Sequence, residues 1–114
     1  MRLKKILTHF FILMALTTNI SFIASPNGYE LVITIAMNML ATILKMGEGK
    51  ILSNELMASS LVADLHLIPA GFIYFLGDTE EAVGLAIGAL AANIISIVIG
   101  VIETILVTFT EEEE

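Results

Sequence analysis

The sequence predicts an all-α integral membrane protein, a small bundle of three or four transmembrane helices with a C-terminal helical hairpin, and three observations predict it. The 114 residues are 57% hydrophobic with a mean hydropathy of +0.93, more apolar surface than a domain of this size hides from water. Four apolar segments are separated by polar breaks at residues 25–28, 45–55 and 77–81, each too short for a domain linker. In the last segment, small or hydroxyl residues recur every fourth position, at Gly84, Gly88, Ala92, Ser96, Gly100, Thr104 and Thr108. Residues four apart lie on one slowly drifting helical stripe, so this spacing predicts a helix-packing groove of the kind used in lipid.

Residues 1–24 open with Arg2, Lys4 and Lys5, continue apolar from Ile6 to Leu16, and turn polar at Thr17, Thr18 and Asn19. That layout serves a secretory signal, yet cleavage after Ala24 puts Phe22 three residues before the cut, where a small side chain is wanted. The same residues are nearly long enough to span about 30 Å of hydrocarbon. A removed signal and a retained signal-anchor both fit. Asn19-Ile20-Ser21 matches a glycosylation sequon inside the apolar segment, a poor place for its use.

The remainder, 25–114, reads as one helical membrane domain with helices at about 30–46, 53–76 and 79–110. The second segment follows the turn-prone Pro26-Asn27-Gly28 and stops before Gly47-Glu48-Gly49. Its polar residues Glu30, Thr34, Asn38, Thr42 and Lys45 occupy about a third of the helix circumference. Few of them are cationic, so this stripe is expected to face a bundle interior rather than lie in the membrane interface.

The third segment carries Asp64, His66 and Pro69. Asp64 shares a face with Met57, Ser60 and Gly71, whereas His66 projects about 160° away, so the two cannot pair within one regular helix. Pro69 lacks an N–H and crowds the carbonyl of Leu65, which predicts a kink there.

The break Gly77-Asp78-Thr79-Glu80-Glu81 reads as a turn into a capped helix start, with Asp78 accepting early N–H groups and Glu81 reaching back. The final helix would exceed about 40 Å, so it must tilt or protrude. Glu103 shares a face with Ala89, Asn93, Ser96 and Gly100, while Ile94, Val98, Val101, Ile102 and Ile105 lie opposite. The chain ends in the acidic run of glutamates 111–114, which reads as a solvated C-terminus.

Charge and motifs exclude several function classes. Twelve acidic against five basic residues, net −7, leave no basic patch for nucleic acid. Without cysteine there is no disulfide, thiolate zinc site or cysteine nucleophile. No hydrolase motif or phosphate-binding loop occurs, so an enzyme is not expected, nor a cofactor. His9 has no partner at metal-ligand spacing, and Met37, Met39, Met46 and Met57 read as adaptable packing rather than a copper site; no metal is expected.

The cations set an orientation. Arg2, Lys4 and Lys5 hold the N-terminus in the cytoplasm, and Lys45 with Lys50 holds the second break there. Both termini are then cytoplasmic if the first segment is retained, while its removal leaves three spans.

Three functions fit. The first is a non-catalytic membrane protein acting by helix–helix association, as a small subunit of an assembly or a self-assembling oligomer, with lipid and membrane helices as partners. Asn38, Asp64, His66, Asn93 and Glu103 are the intramembrane polar candidates, of which Asp64, Asn93 and Glu103 would set register. In the second, a removed leader, very hydrophobic helices and a charged end make a layout similar to the small pilins of conjugation and secretion systems, which implies an extracellular filament; the polar third segment departs from the two-helix hairpin of such pilins. The third is a proton- or ion-conducting element using Asp64 and Glu103, since ionisable residues within spans are by default candidates for proton or ion movement.

Overall fold

Two hairpin turns sit side by side at one end of the molecule, and four helices run away from them. The computed structural model describes residues 2–46 and 53–113, and among these the elements are α1 (Arg2–Ala24), α2 (Gly28–Lys45), α3 (Ser53–Phe75) and α4 (Thr79–Glu113), with no strand. All four are long and apolar enough to cross a membrane. The Gly47-Glu48-Gly49 turn and Lys50 lie outside the described residues, as does Glu114.

Local chemistry explains both turns. Asn27 caps α2, its side chain accepting from the Glu30 N–H at 2.9 Å. Gly77, at φ 105°, ends α3 in a left-handed conformation that a side chain would strain. Its N–H donates to the Tyr74 carbonyl and that of Asp78 to the Ile73 carbonyl, a Schellman closure. Asp78 then caps α4, accepting from the Glu81 N–H at 3.0 Å. The two turns meet, for a Cβ on Gly28 would lie 3.1 Å from the Phe75 ring. This turn end is opposite the lysine end, where Lys4, Lys5 and Lys45 lie.

Each helix packs antiparallel against its chain neighbour, and α4 closes the ring against α1. The α3/α4 pair has the most extensive contact and the α1/α4 seam the thinnest. The shape, 56 × 22 × 21 Å, is that of aligned helices with one projecting beyond the rest. α3 continues as one helical segment through Pro69, which is exposed.

The core is built from small residues. Ala63, Ala70, Ala82, Ala86, Ala89 and Ala92 are buried between α3 and α4 with Leu67, and Phe22 and Leu31 fill the turn end. Small side chains let the backbones approach, which matters in lipid because the tails offer as apolar a surrounding as leucine does.

The four-residue stripe predicted on α4 crosses this interface rather than following it. Ala92 and Ser96 are buried and Gly88 and Gly100 lie at the margin, whereas Gly84, Thr104 and Thr108 are exposed. A step of four residues advances about 400°, so the stripe drifts about 40° each time. The buried positions Ala82, Ala86, Ala89, Asn93, Ser96 and Glu103 alternate steps of four and three about Gly100, the 3.5-residue period that keeps a seam aligned. The face expected to contain Ala89, Asn93, Ser96, Gly100 and Glu103 is the packed one, and Ile94, Val98, Val101, Ile102 and Ile105 opposite it are exposed.

Candidate functional site: a polar seam inside the bundle

The polar stripe of α2 faces inward along the whole helix. Thr34, Asn38, Thr42 and Lys45 are buried, and Glu30, at the turn end, is half-buried. Spacings of four, four, four and three keep them on one face, and from Thr34 onward each meets a polar side chain from another helix.

Level by level, the partners change. Thr34 shares a hydrogen bond of 2.7 Å with Thr18 of α1. Asn38 donates its amide to Asp64 Oδ1 at 2.6 Å, and its Oδ1 accepts from the Asn93 amide at 2.8 Å, so α2, α3 and α4 are joined at one point. Thr42 donates to Asp64 Oδ2 at 2.8 Å, with the Asn38 carbonyl a second acceptor at 3.0 Å. Lys45 donates to Ser60 at 2.5 Å and to Ser96 at 2.8 Å. The backbones of α2 and α4 are diagonal and do not touch, yet Asn38–Asn93 and Lys45–Ser96 bridge them through the centre.

Both oxygens of Asp64 are therefore occupied by donors from α2, which is how a buried carboxylate is tolerated. Asn19 is completely buried and donates its amide to the Ala86 carbonyl at 3.0 Å, which leaves the sequon inaccessible. Among the described residues, two buried oxygens have no hydrogen-bond partner: Asn19 Oδ1 and Glu30 Oε2.

At the lysine end the seam opens into a cavity of about 570 Å³ in the α1/α4 cleft. Thr8, Lys45, Ser96 and Glu103 give it a polar base, Lys5 and His9 lie on its α1 side, and Ile97 and Val101 are among its apolar walls. Glu103 is buried there.

His66 stands apart from Asp64, as its angular position predicts. Its Nδ1 lies 2.8 Å from the Val62 carbonyl of its own helix, and its ring fills the notch left by Gly88, where a Cβ would come within 2.5 Å of His66 Cδ2. Among the described residues no three His, Asp or Glu side chains gather as metal ligands.

Sequence reasoning singled out Asn38, Asp64, Asn93 and Glu103. The first three are joined in one hydrogen-bonded group, and Glu103 lies at the cavity beyond Lys45. Sequence reasoning also placed Lys45 on the inward stripe of α2 and Ser60 on the face of Asp64, but it did not join the two to each other or to Ser96.

Four apolar helices around a buried polar seam define a polytopic α-helical membrane bundle. The chain belongs to a family of unknown function, DUF6394, which matches residues 25–104. That match includes every residue of the seam on α2, α3 and α4 and leaves out α1. No curated protein and no solved structure matches the chain.

Proposed function

We propose that the protein is a non-catalytic integral membrane protein that acts by helix–helix association, as a small subunit of a membrane assembly or as a self-assembling one. The observation that carries this reading is the length of α4. Its apolar span, Thr79–Phe109, is 31 residues against 18 in α2, about 46 Å against 27 Å at 1.5 Å per residue. A tilt of about 20° shortens it only to about 43 Å, some 13 Å more than the hydrocarbon thickness. Exposed Val101, Ile105 and Phe109 lie along its free end, where burial against another helix removes them from water.

The seam supports the same reading from inside. Cross-helix bonds of Asp64, Asn38, Thr42, Asn93 and Lys45 fix helix register, so the bundle is a defined body that presents α4 in one orientation. Retention of α1 is part of the proposal, because its loss would strip Phe22 and Asn19 from the turn end and uncover Ala82 and Ala86. Both termini then lie in the cytoplasm with the lysine end.

The absence of cysteine makes single-cysteine reporters clean. In native membranes, Phe109→Cys should give crosslinked species under mild oxidation or with a bifunctional reagent, whereas Leu65→Cys, on an exposed face of α3, should not. Equal yields at the two positions would sink the reading.

A further inference from the structure

We propose that the cavity between α1 and α4 is a lipid-binding site, and that its ligand is a phospholipid whose phosphodiester headgroup ends in a primary ammonium. The cavity, about 570 Å³, has the size and the make-up of a small-ligand site, mostly apolar walls with a few placed polar groups. It lies in the thinnest helix seam, so a lipid can enter it sideways from the bilayer.

Its polar groups carry both signs of charge. Lys45 and Glu103 are buried at the cavity, and Lys5 and His9 of α1 lie on its other side. An anion or a cation alone would meet a like charge there, whereas a zwitterion meets an opposite charge at each end. Neither charged group has to be without other partners, because a carboxylate accepts at about four positions and Lys5 adds donors at the mouth.

Ser96 supplies a second observation. It is 2% exposed, lines the cavity and accepts from Lys45, and among the described residues its own hydroxyl hydrogen meets no acceptor. The Thr8 and Thr104 hydroxyls beside the same cavity donate back to carbonyls of their own helices. A buried donor without an acceptor is costly. A phosphodiester oxygen placed there accepts from Ser96 beside the Lys45 ammonium.

The order of these groups along the bundle is that of a lipid in its leaflet. The Asn19 bond to the Ala86 carbonyl sets the register of α1 on α4, which puts Ser96 at about the level of His9. Glu103 lies seven residues nearer the lysine end, about 10 Å at 1.5 Å per residue, less the lean of its side chain toward the start of α4. Ile12 and Leu13 line the cavity on the turn side. From the lysine end inward the cavity presents a carboxylate, then lysine and serine, then apolar wall. Ammonium, phosphodiester and acyl chain follow in the same order.

The test is native mass spectrometry of the full chain taken from vesicles of equal parts phosphatidylethanolamine, phosphatidylglycerol and phosphatidylcholine with identical acyl chains. The wild type should retain phosphatidylethanolamine severalfold over each of the others, since phosphatidylglycerol lacks the ammonium and that of phosphatidylcholine has no N–H. Glu103→Gln should bring the preference close to the bulk ratio. In Gly100→Leu the first added carbon has room, Leu56 Cδ2 being 4.0 Å away, and the rest of the side chain occupies the cavity, so retention of all three lipids should fall severalfold. Retention in bulk proportions by the wild type overturns the proposal, as does an unchanged preference in Glu103→Gln. Displacement of the lipid by soluble phosphoethanolamine would give the site to a ligand from water and overturn it too. If Glu103→Gln does not fold, Gly100→Leu decides, and undiminished retention there overturns the proposal. Bound lipid is counted per chain, so a failure here leaves the association reading to its own crosslinking result.

Discussion

The turn end and the lysine end of this bundle solve the same packing problem with different chemistry. At the turn end Phe22, Leu31, Ala70, Ala82 and Ala86 close tightly, with Phe22 and Tyr74 edge to face at 5.5 Å. Toward the lysine end Asp64, Asn38, Asn93, Lys45, Ser60 and Ser96 hold the helices, and a cavity replaces close packing between α1 and α4. Apolar contact in lipid gains little over contact with the tails, so the first solution depends on shape and the second on specific hydrogen bonds. Substitutions at the two ends should therefore fail in different ways.

The largest effect is expected at Asp64. Asp64→Ala leaves the Asn38 amide without its acceptor and the Thr42 hydroxyl with only the Asn38 carbonyl; at about 1–3 kcal/mol for the orphaned amide and about 1 kcal/mol for the lost cross-helix bond of Thr42, moderated in lipid, it should cost about 2–4 kcal/mol. Reversible unfolding in mixed micelles measures it, and a loss below about 1 kcal/mol would make the polar fasteners dispensable. Next is Gly88→Leu, which drives a side chain into the space of His66 and should cost about 1–3 kcal/mol by overpacking. The double variant with His66→Ala should recover much of that loss. Ala86→Leu at the turn end should cost a similar or smaller amount through shape alone, without altering exchange of the Asn38 and Asn93 amide protons followed by NMR. Smallest is Gly84→Ala, since a Cβ there meets nothing within 4 Å. Better helix propensity should make it neutral to stabilising by up to about 1 kcal/mol.

Helix number and type were legible because each span is a long apolar run ended by capping or turn residues such as Asn27, Gly77 and Asp78. The inward face of α2 was legible too, because five polar residues in register on an apolar helix have few other places to go. Which donors of α2 meet Asp64 could not be read from the sequence, because the angular position of a residue on one helix does not give the register of the next. Within the bundle, the seam of α4 against α3 follows a period of 3.5, and Gly84, Thr104 and Thr108 of the four-residue stripe lie off it. Small residues are common in spans, and only the partner α3 distinguishes a stripe of period four from a seam of period 3.5. The partners of Lys45 were not legible, because a lysine at a helix end normally snorkels to the interface and its burial depends on Ser60 and Ser96 from two other helices.

The central claim, that the bundle works by associating through α4, is tested most directly by the native mass of the complex extracted with its surrounding lipid and no detergent. The account predicts a mass above that of one chain, a homo-oligomer or a complex with a defined partner, that falls to the single chain when Ile105 and Phe109 are both replaced by Ser. A single chain of about 12.3 kDa carrying only lipid would contradict it.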